Sequence, residues 1–413
     1  MLKNPISRGN IAASIAVWMF FSCVQKYEGA LYPVVDKKTF LWGYADSTRK
    51  QVIPCKYGDA GVFHEGLARI ESNGKWGYIN RKGKKVIPLL YDEACDFHEG
   101  FARIESNGKW GYVNRKGKKV IPLLYDEVFD FHEGRARVGM EEEYLIYNDR
   151  EDLYKDFRPI YGYINREGKK ITRLKYEEAE NFREGLAMVT SKDKTGWIDS
   201  TGREVIPLKY DGAYDFAPGE NITVVWCLDT AHPIPRGIWL SPGEFLPHPD
   251  NSVRYENLYG FIDRTGKEII PLKYDFAGNF VDGLSCVELG DKYGFIDRTG
   301  KEAIPLKYDF AESFEYGMSR VKLNGKYGFI DSTERVVIPL KYDGMESFSE
   351  GLALAGLNGK YGYINKAGEI IIPLKYDAGQ SFNTAMGMAA AWVQSGGKHF
   401  LIDRTGKRIG DYE

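Results

Sequence analysis

Three histidines share one context. His64, His98 and His132 each stand in Phe-His-Glu-Gly, 34 residues apart. Imidazoles repeated at a fixed spacing are what a transition metal would use if the fold stacked them. A glutamate follows each one, Glu65, Glu99 and Glu133, and a carboxylate held in a defined cleft can act as a general acid or base. Ten Asp or Asn residues also recur, among them Asp46, Asn80, Asn114, Asp331 and Asp403, and oxygen ligands of this kind suit calcium. The pattern around these residues argues against all three chemistries. Later copies put Arg183, Ala217, Val281, Glu315, Ser349 and Asn383 at the histidine position, and a position that tolerant reads as exposed. The Asx set mixes Asn with Asp and is followed three residues on by Gly in eight copies, with Arg49 and Glu334 as the exceptions. That is turn chemistry: the side chain caps the backbone and the glycine takes positive φ. No zinc motif, phosphate loop or nucleophile motif occurs. The expectation is therefore no catalytic, cofactor or metal residues, and no cofactor.

The elements that carry these residues are set by a 34-residue period. An aromatic-Gly-aromatic step recurs at Trp42-Gly43-Tyr44, Trp76-Gly77-Tyr78, Trp110-Gly111-Tyr112 and Tyr161-Gly162-Tyr163. It continues through Thr195-Gly196-Trp197, Tyr259-Gly260-Phe261, Tyr293-Gly294-Phe295, Tyr327-Gly328-Phe329 and Tyr361-Gly362-Tyr363, and a degraded copy is His399-Phe400-Leu401. A side chain that recurs at one repeat position is there to build the repeat, so a functional site should be a departure from it.

The second copy shows the physical logic. Gly66 to Glu71 alternates as a short strand A, Ser72 to Lys75 is a turn, and Trp76 to Asn80 is strand B. A further turn, Arg81 to Lys84, leads into strand C at Lys85-Val86-Ile87-Pro88. Three short strands joined by tight turns make an antiparallel meander. Strand B has an aromatic face and a small-aliphatic face, so each meander must be covered on both sides by its neighbours, and the glycine would admit a close backbone or ring. The proline recurs from Pro54 to Pro373, with Arg173 in its place in the fourth copy. Proline in a ladder needs an edge or a bulge, so strand C should be an edge strand that bends.

Composition agrees. Aromatics make up 14% of 413 residues and there are 46 glycines, which suits strands and tight turns. Formal charge is near neutral, 56 basic against 58 acidic residues, so no nucleic-acid partner is expected. Early B–C turns are basic (Arg81, Lys82, Lys84, Lys85) and early C–A links acidic (Asp92, Glu93, Asp96, Glu99), which reads as a solvated surface. Five cysteines at unrelated repeat positions imply no disulfide framework, and Cys55, Cys95 and Cys286 read as small apolar fillers. At the N-terminus, Lys3 and Arg8 precede an apolar run from Ile11 to Phe21 and then Ser22-Cys23. This reads either as a signal segment with a lipidated Cys23, placing the protein at the cell envelope or outside the cell, or as a cap on the first repeat of a cytoplasmic protein.

The period is broken in one place. From strand A's glycine to strand B's aromatic the usual distance is ten residues, but it is 27 from Gly134 to Tyr161 and 40 from Gly219 to Tyr259. Both insertions lie in the A–B hairpin and should emerge on one rim. The first, near 140–157, is charged and aromatic. The second, 227–256, is rich in proline and aromatics, and either packs over the repeats or presents an anchor. The candidate binding rim is Tyr144, Arg158, Trp239, Phe245 and His248. The domain reading is a signal-like or capping segment at 1–25, repeats one to five at 26–226, the second insertion at 227–256, and repeats six to ten at 257–413.

Segments such as Gly-Lys-Trp-Gly-Tyr-Ile-Asn-Arg-Lys-Gly-Lys-Lys-Val-Ile-Pro at 74–88, with the joining run at 91–104, resemble the bacterial WG-repeat family. The resemblance spans about residues 26–409. It implies a β-repeat protein of bacterial or related source and no particular activity. The expected fold is all-β: ten three-stranded antiparallel meanders in an open superhelical, solenoid-like stack, or alternatively two five-bladed propeller-like rings. The expected function is a non-enzymatic scaffold that binds a protein or glycan, with a glycan-acting hydrolase or lyase as the alternative.

Overall fold

The computed structural model describes residues 30–147, 153–232, 234–235, 237–241, 244–247, 253–254, 256–385 and 388–411. Cys23, His248 and the segment before residue 30 lie outside the described residues. Those described form an all-β chain of short antiparallel ladders, with no helix long and apolar enough to cross a membrane. One sheet forms for each of the ten sequence copies, the degraded last copy included, and none closes on itself.

In the second copy the strands Leu67–Ser72 and Lys75–Asn80 form the central hairpin. Its turn residues Asn73 and Gly74 both have left-handed φ, 56° and 72°, the backbone that matches the twist of paired strands. Lys85–Tyr91 pairs on the far side of Lys75–Asn80. The three-stranded meander is present, and at its other edge Asp59–Ala60 pairs opposite Glu71 and Ile70 as a short fourth strand. This strand is the direct continuation of Gln51–Tyr57 from the preceding sheet. The link is thus extended backbone, and it satisfies edge groups of Leu67–Ser72 that would otherwise be left unpaired.

The glycine of the aromatic step is explained by strand C. Trp76 lies opposite Tyr91 and Tyr78 opposite Ile87, so two residues of advance on one strand meet four on the other. The surplus bulges at Pro88, as a proline in an edge strand requires. The bulge folds over Gly77, where an added Cβ would lie 2.7 Å from the carbonyl oxygens of Ile87 and Pro88. The last copy makes the converse point. It has Phe400 instead of glycine and no proline, and Phe400 and Leu401 pair in step with Asp411 and Gly410.

The core lies between sheets. Tyr78, Ile87 and Tyr91 of the second sheet pack against Ala94, Ala102, Ile104 and Val113 of the third. Tyr112, Ile121 and Tyr125 meet Val128, Ala136, Val138 and Ile164 in the same way. An aromatic face against a small-aliphatic face lets neighbours approach closely, and each buried large apolar side chain contributes roughly 1.5–3 kcal/mol. The chain groups into two compact units, one running to Gly185 with Ser200–Gly202, the other comprising Leu186–Asp199 and Arg203–Glu413. In the second unit the same pairing recurs, with Phe261, Ile270 and Tyr274 against Ala277, Val287 and Ile296. Cys286 is a buried filler in this unit, its thiol pushed up to about 12 by burial. Cys55, Cys95 and Cys227 are half-buried, and all four are free thiols.

The fourth copy departs from the rest. Thr172 replaces the usual buried isoleucine and accepts a hydrogen bond from the Tyr163 N–H at 3.0 Å. Arg173 replaces the proline, and strand C shrinks to isolated bridges at Lys170 and Tyr176.

Candidate functional site

Most residues with chemical potential are absorbed into the repeat. Asn80 Oδ1 accepts from the N–H groups of Lys82 and Lys84 at 3.0 and 3.1 Å. Asp331 does the same for Thr333 and Arg335, takes the Thr333 hydroxyl at 2.6 Å, and pairs with Arg335 Nε at 2.9 Å. These bonds, the Thr333 hydroxyl first, hold its carboxyl at about 2. The φ of Arg49 and Glu334 is 67°, so the two exceptions to the turn glycine adopt the left-handed backbone that glycine supplies elsewhere. The hydroxyls of Tyr78 and Tyr112 donate to the Cys95 and Phe129 carbonyls at 2.6 Å, and burial raises both phenols well above their ordinary range. Asp92 pairs with Lys75 through Oδ1 and accepts the Asn107 N–H on Oδ2 at 3.0 Å. The Lys75 bond leads the causes that lower its carboxyl.

The recurring glutamates have a structural role that sequence reasoning missed. Glu99 and Gly100 form a two-residue turn with φ of 49° and 87°. Its Gly100 N–H is accepted by Glu65, 2.9 Å from Oε2. Glu99 in turn accepts the N–H groups of Glu133 and Gly134 at 2.9 and 2.8 Å, and Arg166 at 2.9 Å. Glu133 accepts those of Glu184 and Gly185. Each carboxylate thus clamps the same turn one copy further on. Desolvation opposes ionisation of Glu99, but Arg166 and the two amides outweigh it and its carboxyl is lowered.

Two of the three histidines stack. The His98 and His132 rings lie 5.2 Å apart, His98 Nδ1–H donates to Phe131 O at 2.8 Å, and His64 Nε2 is 3.6 Å from Asp96. Among the described residues no group of His, Cys, Asp or Glu has the arrangement of a metal site.

What the repeat does not absorb is the first insertion. It lengthens the A–B hairpin into two strands, Arg135–Tyr147 and Leu153–Asn165, with Glu142 opposite Arg158 and Tyr144 opposite Asp156. Tyr144 donates to Asp156 at 3.1 Å, while the Arg158 guanidinium lies 5.3 Å over the Tyr144 ring and pairs with Glu142 at 3.1 Å and Glu177 at 3.5 Å. Beside them Phe157 is 56% exposed. The structure therefore brings Tyr144 and Arg158 together, and adds Phe157, a residue whose outward position depends on strand register. The second insertion also extends its A–B hairpin, with Leu228 opposite Asn257. Beyond that pair, Trp239 lies opposite Phe245 in the backbone register.

The fold and this hairpin define a tandem β-repeat protein with an elaborated copy. The family model for the WG containing repeat matches residues 42–76, 76–110, 110–144, 161–194, 196–225, 259–293, 293–327, 327–361 and 361–398, and the chain belongs to that family. No curated protein matches it. Among solved structures it is similar to KlHsv2 with one loop replaced by a Gly-Ser linker, at 9% identity and TM-score 0.28, over 63% of this chain and 92% of that one. It is also similar to the extracellular domain of a putative one component system from B. thetaiotaomicron, at 10% identity and TM-score 0.25, over 92% and 69%. The V. cholerae biofilm matrix protein Bap1 matches at 10% identity and TM-score 0.22, over 92% and 79%. TM-scores of this size do not define a common fold.

Proposed function

We propose that the chain is a non-enzymatic β-repeat scaffold that binds a protein or glycan through the lengthened hairpin of its fourth copy. One observation carries this reading. Arg135–Tyr147 and Leu153–Asn165 run well beyond the length that packing between sheets requires. The added length presents Tyr144 and Arg158 on one face and the exposed Phe157, opposite Glu143, on the other. Aromatic and arginine side chains are the residues that anchor interfaces most often. Arg158 is also held in place over Tyr144, which reduces the entropy lost when a partner docks.

The test replaces residues 141–159 with an Asn-Gly turn between the paired Met140 and Ile160, the length used at Asn73-Gly74. The shortened protein should keep its β circular dichroism and its melting temperature, and should lose the partners captured by the full chain from glycan arrays and pull-downs. Retention of every captured partner by the folded variant would remove the hairpin as the recognition surface. Release of new reducing ends from a glycan, dependent on the hairpin, would replace the scaffold reading with that of a glycan-acting enzyme.

A further inference from the structure

A cavity of 340 Å³ opens between the second and third copies of the first unit. Its floor is Cys95 and Phe97, and its walls are two guanidinium–carboxylate pairs, Arg69 with Asp96 and Arg103 with Asp130. His64 and His98 stand at its edge, both exposed. The position exists because three features coincide here. Strand A carries Arg69 and Arg103, as it carries Arg137 and Arg320, where other copies have Met188, Val224, Cys286 and Leu354. The link carries Asp96 and Asp130 where the copy before has Val62. Cys95 is small where the next copy has Phe129, and there the Arg137 guanidinium lies 3.6 Å over the Phe129 ring and fills the space.

The two walls are held differently. Arg103 Nε donates to Asp130 at 2.8 Å and its Nη1 to Val128 O at 3.2 Å. Arg69 Nη1 donates to Ala94 O at 3.1 Å, but its Nε and Asp96 Oδ1, 3.3 Å apart, reach no hydrogen-bond partner within the chain. Those two atoms are shielded from solvent against Gly61 and face each other as an ion pair, so a ligand would meet this wall through the remaining, partly exposed atoms of Arg69 and Asp96.

We infer that this cavity is a binding site for a neutral polyhydroxylated ligand of about monosaccharide size. Each guanidinium already faces a carboxylate, so the lining is close to electroneutral and an added anion would meet Asp96 and Asp130 as well as the arginines. A hydroxyl both donates and accepts, and a vicinal pair of hydroxyls matches alternating guanidinium donors and carboxylate acceptors. The volume lies at the lower end of small-molecule sites. The site is independent of the lengthened hairpin, so either can fail alone.

The test uses the full chain and two variants. Cys95→Phe fills the cavity with the residue the next copy uses at this position, and Asp96→Asn removes a carboxylate while keeping its shape. Glucose, galactose, mannose and N-acetylglucosamine are titrated by calorimetry and ligand-observed NMR, beside glucuronate and inorganic phosphate. At least one neutral sugar should bind saturably, with affinity lost in Cys95→Phe and weakened about tenfold or more in Asp96→Asn, at unchanged circular dichroism. Binding that survives Cys95→Phe, preference for glucuronate or phosphate, or no binding of any neutral sugar would overturn the proposal.

Discussion

Gly111 has no room for a methyl group. An added Cβ would lie 2.5 Å from Ile121 O and 2.6 Å from Pro122 O, and both are backbone atoms of a bulge fixed by its proline. Gly111→Ala should therefore cost roughly 1–3 kcal/mol or more, read as a fall in melting temperature. Gly108→Ala is the control. Nothing lies within 4 Å of its Cβ, and its φ of 73° adds only left-handed strain, about 1–2 kcal/mol. At the same scale, the bonds to Asp331 set an acid limb of stability. Its folded carboxyl sits at about 2, below the ordinary 3.8. The contribution is therefore complete above the ordinary value and is lost as pH falls through about 2. Asp331→Asn, which places there the residue that Asn80 supplies in the second copy, should flatten thermal stability between those two values while leaving the neutral-pH fold intact. An acid limb identical to that of the parent would refute this. The glycine and Asx roles were legible in the sequence because residue type alone sets them. The clamp by Glu65, Glu99 and Glu133 was not, because its partners are backbone N–H groups, which every non-proline residue has, brought within reach only by stacking.

At the scale of elements, neighbouring sheets of the first unit are joined by more than apolar contact. Glu99 holds the turn at Glu133 and Gly134 and also takes Arg166. Glu99→Ala should destabilise by about 1–2 kcal/mol, since hydrogen bonds to a charged group are lost at a partly solvated site. Amide exchange should quicken first at Glu133 and Gly134, because copies in an array depend mainly on their neighbours. Uniform quickening across the chain would show that the clamp is not local. Strands A, B and C could be read from alternation and turn residues. The fourth strand could not: Asp59–Ala60 is two residues long, too short for any period to register. The hairpin was located by its length in sequence, and the side on which Phe157 emerges follows only from the pairing of Glu143 with Phe157.

For the whole molecule, the 34-residue period made the all-β tandem character legible before any coordinate. A repeat unit that exposes an aromatic face and a small-aliphatic face has no stable solution except stacking. The cavity was less legible, although its signal was present. Arg69 and Arg103, like Arg137 and Arg320, interrupt a column that is apolar in other copies, yet the sequence gives no sign that Cys95 leaves a space between the first two. That space arises from a volume difference, Cys95 against Phe129, between adjacent copies of otherwise similar sequence.

The continuous backbone from Gln51–Tyr57 into Asp59–Ala60 has a genealogical consequence. Among the described residues, every sheet after the first is finished by a strand carried over from the copy before, so none of these belongs to one sequence copy. A tandem duplication of one full period would therefore add one whole sheet wherever its endpoints fell, because every cut reproduces the same overlap. A gene built this way can lengthen or shorten by unequal recombination without respecting any particular junction, so the number of copies is free to vary while the joint between them stays the same.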